Sequence, residues 1–200
     1  MDNKKIEKSE SLTDKTLKDL NIPDILDQAI KGDLEAFGLL YQENVQRIYN
    51  YIYYRTGNSN DAEDITARVF NRALSKIQSY KKTEVPFAAW LYRIAHNLVA
   101  NWYRDNSRKH EVPLEDQEFM LQRPDHPEFL IVKDQEIDML LEVIHSLAPD
   151  RQSLIILKYV EGLSNSDIGK ILEKSEGAVK SLYHRTLIEL KESFENENLD

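Results

Sequence analysis

Apolar residues fall three and four positions apart through nearly every long segment of this chain. Between positions 34 and 55 they are Leu34, Phe37, Leu40, Tyr41, Val45, Ile48 and Ile52. That spacing is the repeat of a helix with one buried face. A strand with one buried face would alternate every second residue. No segment alternates convincingly in that way. Six glycines and six prolines in 200 residues also leave little material for the turns of a β fold. The expectation is an all-α protein.

The same spacing divides the chain. Asp24–Ile30 forms a short amphipathic helix that stops near Gly32, and Asp33 then stands as the N-cap of a long helix reaching about Arg55. The run TGNSN reads as a loop. A third helix starts near Asn60 with Ala62, Ile65, Val69, Phe70, Ala73, Leu74 and Ile77 as its stripe. Its first turn carries Asp61, Glu63 and Asp64, near the positive end of the helix dipole. After a basic loop, SYKKTEVP, Pro86 suits the first turn of a fourth helix. Phe87, Trp90, Leu91, Ile94, Leu98 and Trp102 form its stripe, with Trp90 read as core, and Arg93, Asn97, Ala100, Asn101 and Arg104 lie opposite.

Residues 106–134 contain Pro113, Pro124 and Pro127 among many acids and little periodicity, which reads as a linker. Helices follow at about 135–147, 149–161, 164–172 and 175–194, with Ser164 and Ser175 as N-caps. A short helix, a break of a few residues and a longer helix make the outline of a helix-turn-helix. The expected architecture is a mobile arm at 1–23, a helical domain at 24–106, an acidic linker at 107–134 and a second helical domain at 135–194.

Charge and composition exclude several classes. With no cysteine there is no disulfide framework, no thiolate zinc site and no redox thiol in the chain. The longest apolar runs, such as LIIL at 154–157, fall far short of a membrane span, and MDNKKIEKSE lacks the apolar core of a secretory signal. The expectation is a cytoplasmic protein without membrane insertion. The formal net charge of −9 argues against nucleic acid as a partner, but its distribution argues the other way. Residues 65–104 hold seven basic side chains and one acid, Glu84, a net of +6; residues 111–150 hold eleven acids and two bases, a net of −9.

Three constellations carry chemistry. The acids of DAEDITARVFNRAL (61–74) could be a metal site, a helix cap or a protein contact surface. A metal-dependent nucleotide hydrolase needs a second acidic group on a facing helix, and the next forty residues supply only Glu84. In PFAAWLYRIAHNLVANWYR (86–104), arginines that grip phosphate and asparagines that read base edges share a face near aromatics that stack on unpaired bases. A merely solvated face is the alternative. His96 and His110 have no ligand partners at helical spacing, and no metal or cofactor is expected. In LAPDRQSLIILKYVEGLSNSDIGKILEKSEGAVKSLYHRTLIELK (147–191), Gly169 stands where two helices cross closely, and the last helix exposes Lys180, Ser181, His184 and Arg185.

Taken together, these segments resemble a bacterial RNA polymerase sigma factor of the extracytoplasmic function (ECF) group in the sigma-70 family. The resemblance covers roughly residues 27–190. AIKGDLEAFGLLYQENVQRIYNYIYYRTGNSNDAEDITARVF looks like the opening of sigma domain 2, FAAWLYRIAHNLVANWYR like its promoter-melting and −10 helix, and the 147–191 segment like sigma domain 4. The resemblance implies a non-enzymatic initiation factor that binds core RNA polymerase and promoter DNA and is held by an anti-sigma factor. It implies that Asp61, Asp64 and Arg68 dock on polymerase. Lys81, Lys82, Arg93, Asn97, Asn101 and Arg104 would face the single-stranded −10 element, with the Tyr80–Val85 loop capturing a flipped base, and Lys180, Ser181, His184 and Arg185 the duplex −35 element. The acidic linker would thread the polymerase cleft as a polyanion mimic.

The chain departs from the family's usual pattern at Ala67, often glutamine; at Arg68, often an acid; at Asn101, often aspartate; and at Asp167-Ile168-Gly169, usually Glu-Ile-Ala. A polymerase-independent helix-turn-helix regulator is the rival reading. The basic 65–104 segment and the long acidic linker speak against it.

Overall fold

A computed structural model describes residues 22–82, 85–109 and 143–197. The arm before residue 22, most of the linker, most of the helix expected at 135–147 and part of the 80–85 loop lie outside the described residues. Everything described is helix or connection. The order is α1 (Ile22–Ile30), α2 (Leu34–Thr56), α3 (Ser59–Lys76) with a 3₁₀ turn at Ile77–Ser79, α4 (Phe87–Lys109), a helical stretch at 143–146, α5 (Pro149–Ile155), α6 (Asn165–Leu172) and α7 (Glu176–Glu197).

Local chemistry sets the boundaries. The Asp33 carboxylate accepts from Glu35 N at 2.9 Å and Ala36 N at 3.1 Å and starts α2. Gly57 ends it at φ 65°, where its N–H bonds Tyr53 O at 2.8 Å. The Asn58 side chain then caps α3 through Asp61 N. Pro86 stands one residue before α4 rather than inside its first turn, and its carbonyl accepts from Trp90 N at 2.9 Å. The Ser164 and Ser175 hydroxyls accept from Asp167 N and Ala178 N, as the sequence suggests.

One departure from regular periodicity follows α5. The helix expected to run to residue 161 widens into a π-helix at Ile156–Val160, and Glu161 N bonds Ile156 O at 3.2 Å. The wider turn adds one residue to the repeat, a form frequent at functional sites. It places Ile156 and Leu157 inside and leaves Tyr159 and Val160 outside.

The core of the first helical group is built from Ala29, Ile48, Ile52, Ile65, Val69, Ala73, Leu91, Ala95 and Val99, all essentially inaccessible to solvent. Leu154, Leu157, Ile168, Ile171 and Val179 form that of the second. Each buried valine, leucine or isoleucine side chain among them contributes about 1.5–3 kcal/mol by leaving water. The periodic stripes overreach at their edges, since Leu34, Tyr41 and Leu74 are exposed. Leu34 is the first residue of α2, and Tyr41 lays only its ring edge on buried Phe70, at 4.7 Å. Gly169 does sit at a close crossing. A Cβ there would stand 2.7 Å from Lys174 O.

The two groups touch. Helix α4 packs on α6, and α2 on the π-helical segment. The polar links across this contact include Arg47–Glu161 (2.9 Å), Arg55–Gln152 (3.1 Å), Arg55–Ser153, Tyr51–Ser153 (3.1 Å), His96–Ser153 (3.2 Å), His145–Tyr54 O (2.9 Å) and Arg93–Glu173 (2.6 Å). Arg55 is fully buried, its guanidinium also facing the Tyr103 ring at 5.5 Å.

Candidate nucleic-acid interface

Helix α3 ends with Arg72 and Lys76 one turn apart, and α4 runs beside it. Together they form an open groove of about 600 Å³. Arg72 and Lys76 line it from α3; Trp90, Arg93, Ile94, Asn97, Ala100, Asn101 and Arg104 line it from α4. The α4 set recurs every three or four residues because it is one face of one helix, opposite buried Leu91, Leu98 and Val99. Four cations and no carboxylate line the groove.

Amides and an aromatic wall refine the groove. Arg104 Nη2 donates to Asn101 Oδ1 at 2.8 Å, so the amide NH₂ of Asn101 remains as the donor. Trp90 is half-buried, not wholly core as its place in the stripe predicts. Its ring lies 5.0 Å from Tyr80 and 5.8 Å from Phe87, and it forms one wall of the groove. The Tyr80 hydroxyl donates to Val85 O and fixes the cluster against the loop; burial pushes its phenol pKa up.

The −10 set of the sequence reading is therefore brought together only in part. Arg93, Asn97, Asn101 and Arg104 converge. Lys81 and Lys82 are exposed and do not line the groove; Lys82 Nζ holds Asp27 at 2.6 Å and Pro23 O at 2.8 Å, tying the loop to α1. Arg72, Lys76 and Trp90 are groove residues that the sequence set omits. The four-residue step from Arg68 to Arg72 to Lys76 was the signal for the first two.

Asp61, Asp64 and Arg68 lie on α3, with Asp64 and Arg68 on its outer face and 3.7 Å apart. Among the described residues, no three carboxylate or imidazole side chains converge as metal ligands.

In the second group, α6, a tight turn and α7 make the helix-turn-helix. Glu173 in that turn has φ 55° and ψ 41°, the left-handed region. Lys180, Ser181, His184 and Arg185 are all exposed on α7. Ser181 Oγ donates to Gly177 O at 3.0 Å and Arg185 Nε to Ser181 O at 3.3 Å, so these two share a strip. Lys180 pairs with Glu176 at 2.8 Å on the adjacent strip, toward His184. Buried Val179 and Thr186 hold the opposite side of α7 to the core.

Two histidines sit at the contact between the groups. His96 Nδ1 lies 3.2 Å from Ser153 Oγ, and burial, then the nearby Arg55 charge, lowers its pKa from the ordinary 6.5. His145 is lowered too, mainly by burial. Burial likewise pushes the Tyr92 phenol up.

Comparisons with known proteins agree with this geometry. Residues 40–109 match the family model for sigma-70 region 2, and residues 137–190 match that for sigma-70 region 4. The ECF RNA polymerase sigma factor BldN of Streptomyces coelicolor is 32% identical over 164 residues, 82% of this chain. The chain spans 62% of BldN's length. The ECF sigma factor SigW of Bacillus subtilis is 31% identical, with 79% of this chain and 88% of SigW covered. Among solved structures, the sigma factor RpoE of Bartonella quintana, crystallised with the anti-sigma factor NepR, has the same fold. Its TM-score is 0.65 at 21% identity, covering 80% of this chain and 96% of RpoE. No helix among the described residues is long and apolar enough to cross a membrane. Two sigma-70 regions in order, on helices that carry a cationic groove and a helix-turn-helix, together with relatives such as BldN and SigW, place the chain in the ECF group of the sigma-70 family of RNA polymerase sigma factors.

Proposed function

We propose that the chain directs core RNA polymerase to promoters, reading a duplex −35 element with α7 and holding the single-stranded −10 element in the groove between α3 and α4. The observation that carries this reading is the groove: four cations, two asparagines and a tryptophan wall from two neighbouring helices, with no acid among the lining residues. Cations hold phosphates, amides read base edges and a tryptophan ring stacks on an unpaired base. Arg72, Lys76, Arg93 and Arg104 position the strand; Asn97 and Asn101 face its bases. On α7, Arg185 reads a base edge and Lys180 holds a phosphate, because they point to different sides of the groove floor.

The outer face of α3, with Asp61, Asp64 and Arg68, docks on polymerase. The first helical domain spans 24–106 and the second 135–194, joined by the acidic linker. The chain performs no catalysis of its own; strand opening is driven by binding energy that recovers part of the cost of unstacking. Its partners are core polymerase, promoter DNA and an anti-sigma factor, and it works in the cytoplasm.

Run-off transcription tests the reading. Core polymerase with this protein gives a specific transcript from a promoter selected with it, and neither component alone does. Tight, specific binding to a palindromic operator without polymerase refutes it in favour of the regulator.

A further inference from the structure

The groove is not free of the second domain. Arg93, one of its lining residues, is held by Glu173 from the turn of the helix-turn-helix, with Oε1 accepting from Nη2 at 2.6 Å and from Nε at 3.1 Å. This is how an arginine grips an anionic oxygen, and a phosphate oxygen would take the same two donors. The backbone at Glu173 sharpens the point. It is the only described residue other than glycine with positive φ, in a helix-ending turn where glycine or asparagine is the easier choice. A carboxylate stands on that unfavourable backbone, and it reaches Arg93 of the groove lining.

Distance makes the contact incompatible with promoter binding. Elements centred near −35 and −10 are about 25 base pairs apart, or about 85 Å of B-form DNA. A chain whose helix-turn-helix touches its −10 groove cannot read both. The closed arrangement must separate. Its exposed polar links, Arg47–Glu161 and Arg93–Glu173, are ion pairs that water or DNA can replace, whereas the links of Arg55, Tyr51 and His96 to Gln152 and Ser153 are buried or part-buried and are lost only when the domains part. The closure is also one-sided, since Lys180, Ser181, His184 and Arg185 remain exposed in it.

We propose that Glu173 acts as an intramolecular stand-in for a promoter phosphate, holding Arg93 in the closed chain so that the −10 groove engages single-stranded DNA only after the two domains part. This inference rests on the groove being the strand-binding site. Both side chains are part-exposed, Arg93 at 43% and Glu173 at 61%, so the pair is a weak latch. It shifts the closed–open balance by a factor of about two to five. A latch of that size yields to polymerase or DNA.

The absence of cysteine gives a clean test. Glu43→Cys and Glu192→Cys in the full chain take a donor and an acceptor dye, and energy transfer reports closure. Glu173→Gln removes the charge and keeps the side-chain shape; Glu173→Gly removes it and relieves the backbone at φ 55°. Both should lower transfer and raise affinity for a fluorescent single-stranded oligonucleotide two- to five-fold at low salt. Unchanged transfer in both variants overturns the latch. Lower transfer without tighter binding overturns the masking role, provided Arg104→Ala still weakens oligonucleotide binding. If Arg104→Ala leaves binding unchanged, the groove assignment itself has failed, and the latch with it.

Discussion

The groove assignment makes a quantitative prediction about salt. A protein that neutralises phosphates of a single strand releases counterions, and log affinity falls with log salt with a slope of about −0.7 per phosphate held. Arg72, Lys76, Arg93 and Arg104 line the groove. If each holds one phosphate, the groove contributes a slope of about −2.8. Between about 50 and 200 mM salt, affinity then drops about 50-fold. Arg72→Gln removes one cation and should bring the slope to about −2.1 and the drop to about 18-fold. The assay is fluorescence anisotropy with a labelled oligonucleotide, in the Glu173→Gln background so that Arg93 is not held by a carboxylate. Lys31→Gln is the control, because Lys31 is exposed and outside the groove while the change in net charge is identical. A slope that Arg72→Gln leaves unchanged, or that Lys31→Gln shifts equally, refutes phosphate holding at Arg72.

Three further perturbations separate the roles assigned here. Arg185→Ala should change sequence preference at one −35 position in selection from a randomised −35 library, whereas Lys180→Ala should weaken binding evenly across sequences and lower the salt slope by about one unit; identical preferences for wild type and Arg185→Ala refute base reading. Gly169→Ala gains about 1 kcal/mol of helix propensity, but its Cβ meets Lys174 O at 2.7 Å, and forcing such a turn apart costs about 1–3 kcal/mol. Urea unfolding should show a net loss of up to about 2 kcal/mol, and a rise in midpoint refutes the clash. His96 and His145 have lowered pKa values in the fold, so the unfolded chain binds more protons and stability falls as pH drops below the ordinary 6.5. At about pH 5.5 the loss is at most about 1.4 kcal/mol per histidine relative to neutral pH, and urea midpoints that do not fall between those conditions refute it.

Much of the fold was legible because it is local. Asp33, Ser164 and Ser175 announce helix starts through side chains that bond amides two or three residues on, and a helix reveals its buried face through its own spacing. The π-helix at Ile156–Val160 was not legible, because LIILKYV fits an ordinary helix equally well and only packing decides where a residue is inserted. Trp90 shows a second limit. Periodicity assigns it to the apolar stripe, but a stripe has edges, and a large ring at an edge serves the core with one side and the groove with the other.

Charge statistics point to the basic segment but do not show which of its members converge in space. Lys81 and Lys82 are close in sequence to α4 but do not line the groove, and Lys82 turns to Asp27 on α1. Arg72 and Lys76 reach the groove from the preceding helix, α3. The contact between the domains was hidden more deeply. Its partners lie 114, 97 and 80 residues apart, as Arg47–Glu161, Arg55–Gln152 and Arg93–Glu173. No local pattern encodes such pairings. A phosphate-binding face has the same signature whatever anion it meets, because a carboxylate and a phosphate offer an arginine the same kind of oxygen. The sequence could therefore place Arg93 opposite the core and among nucleic-acid readers, but it could not show that the chain supplies an anion of its own. That follows only from the position of Glu173, two residues before Ser175 caps α7, in the turn that the helix-turn-helix brings against α4.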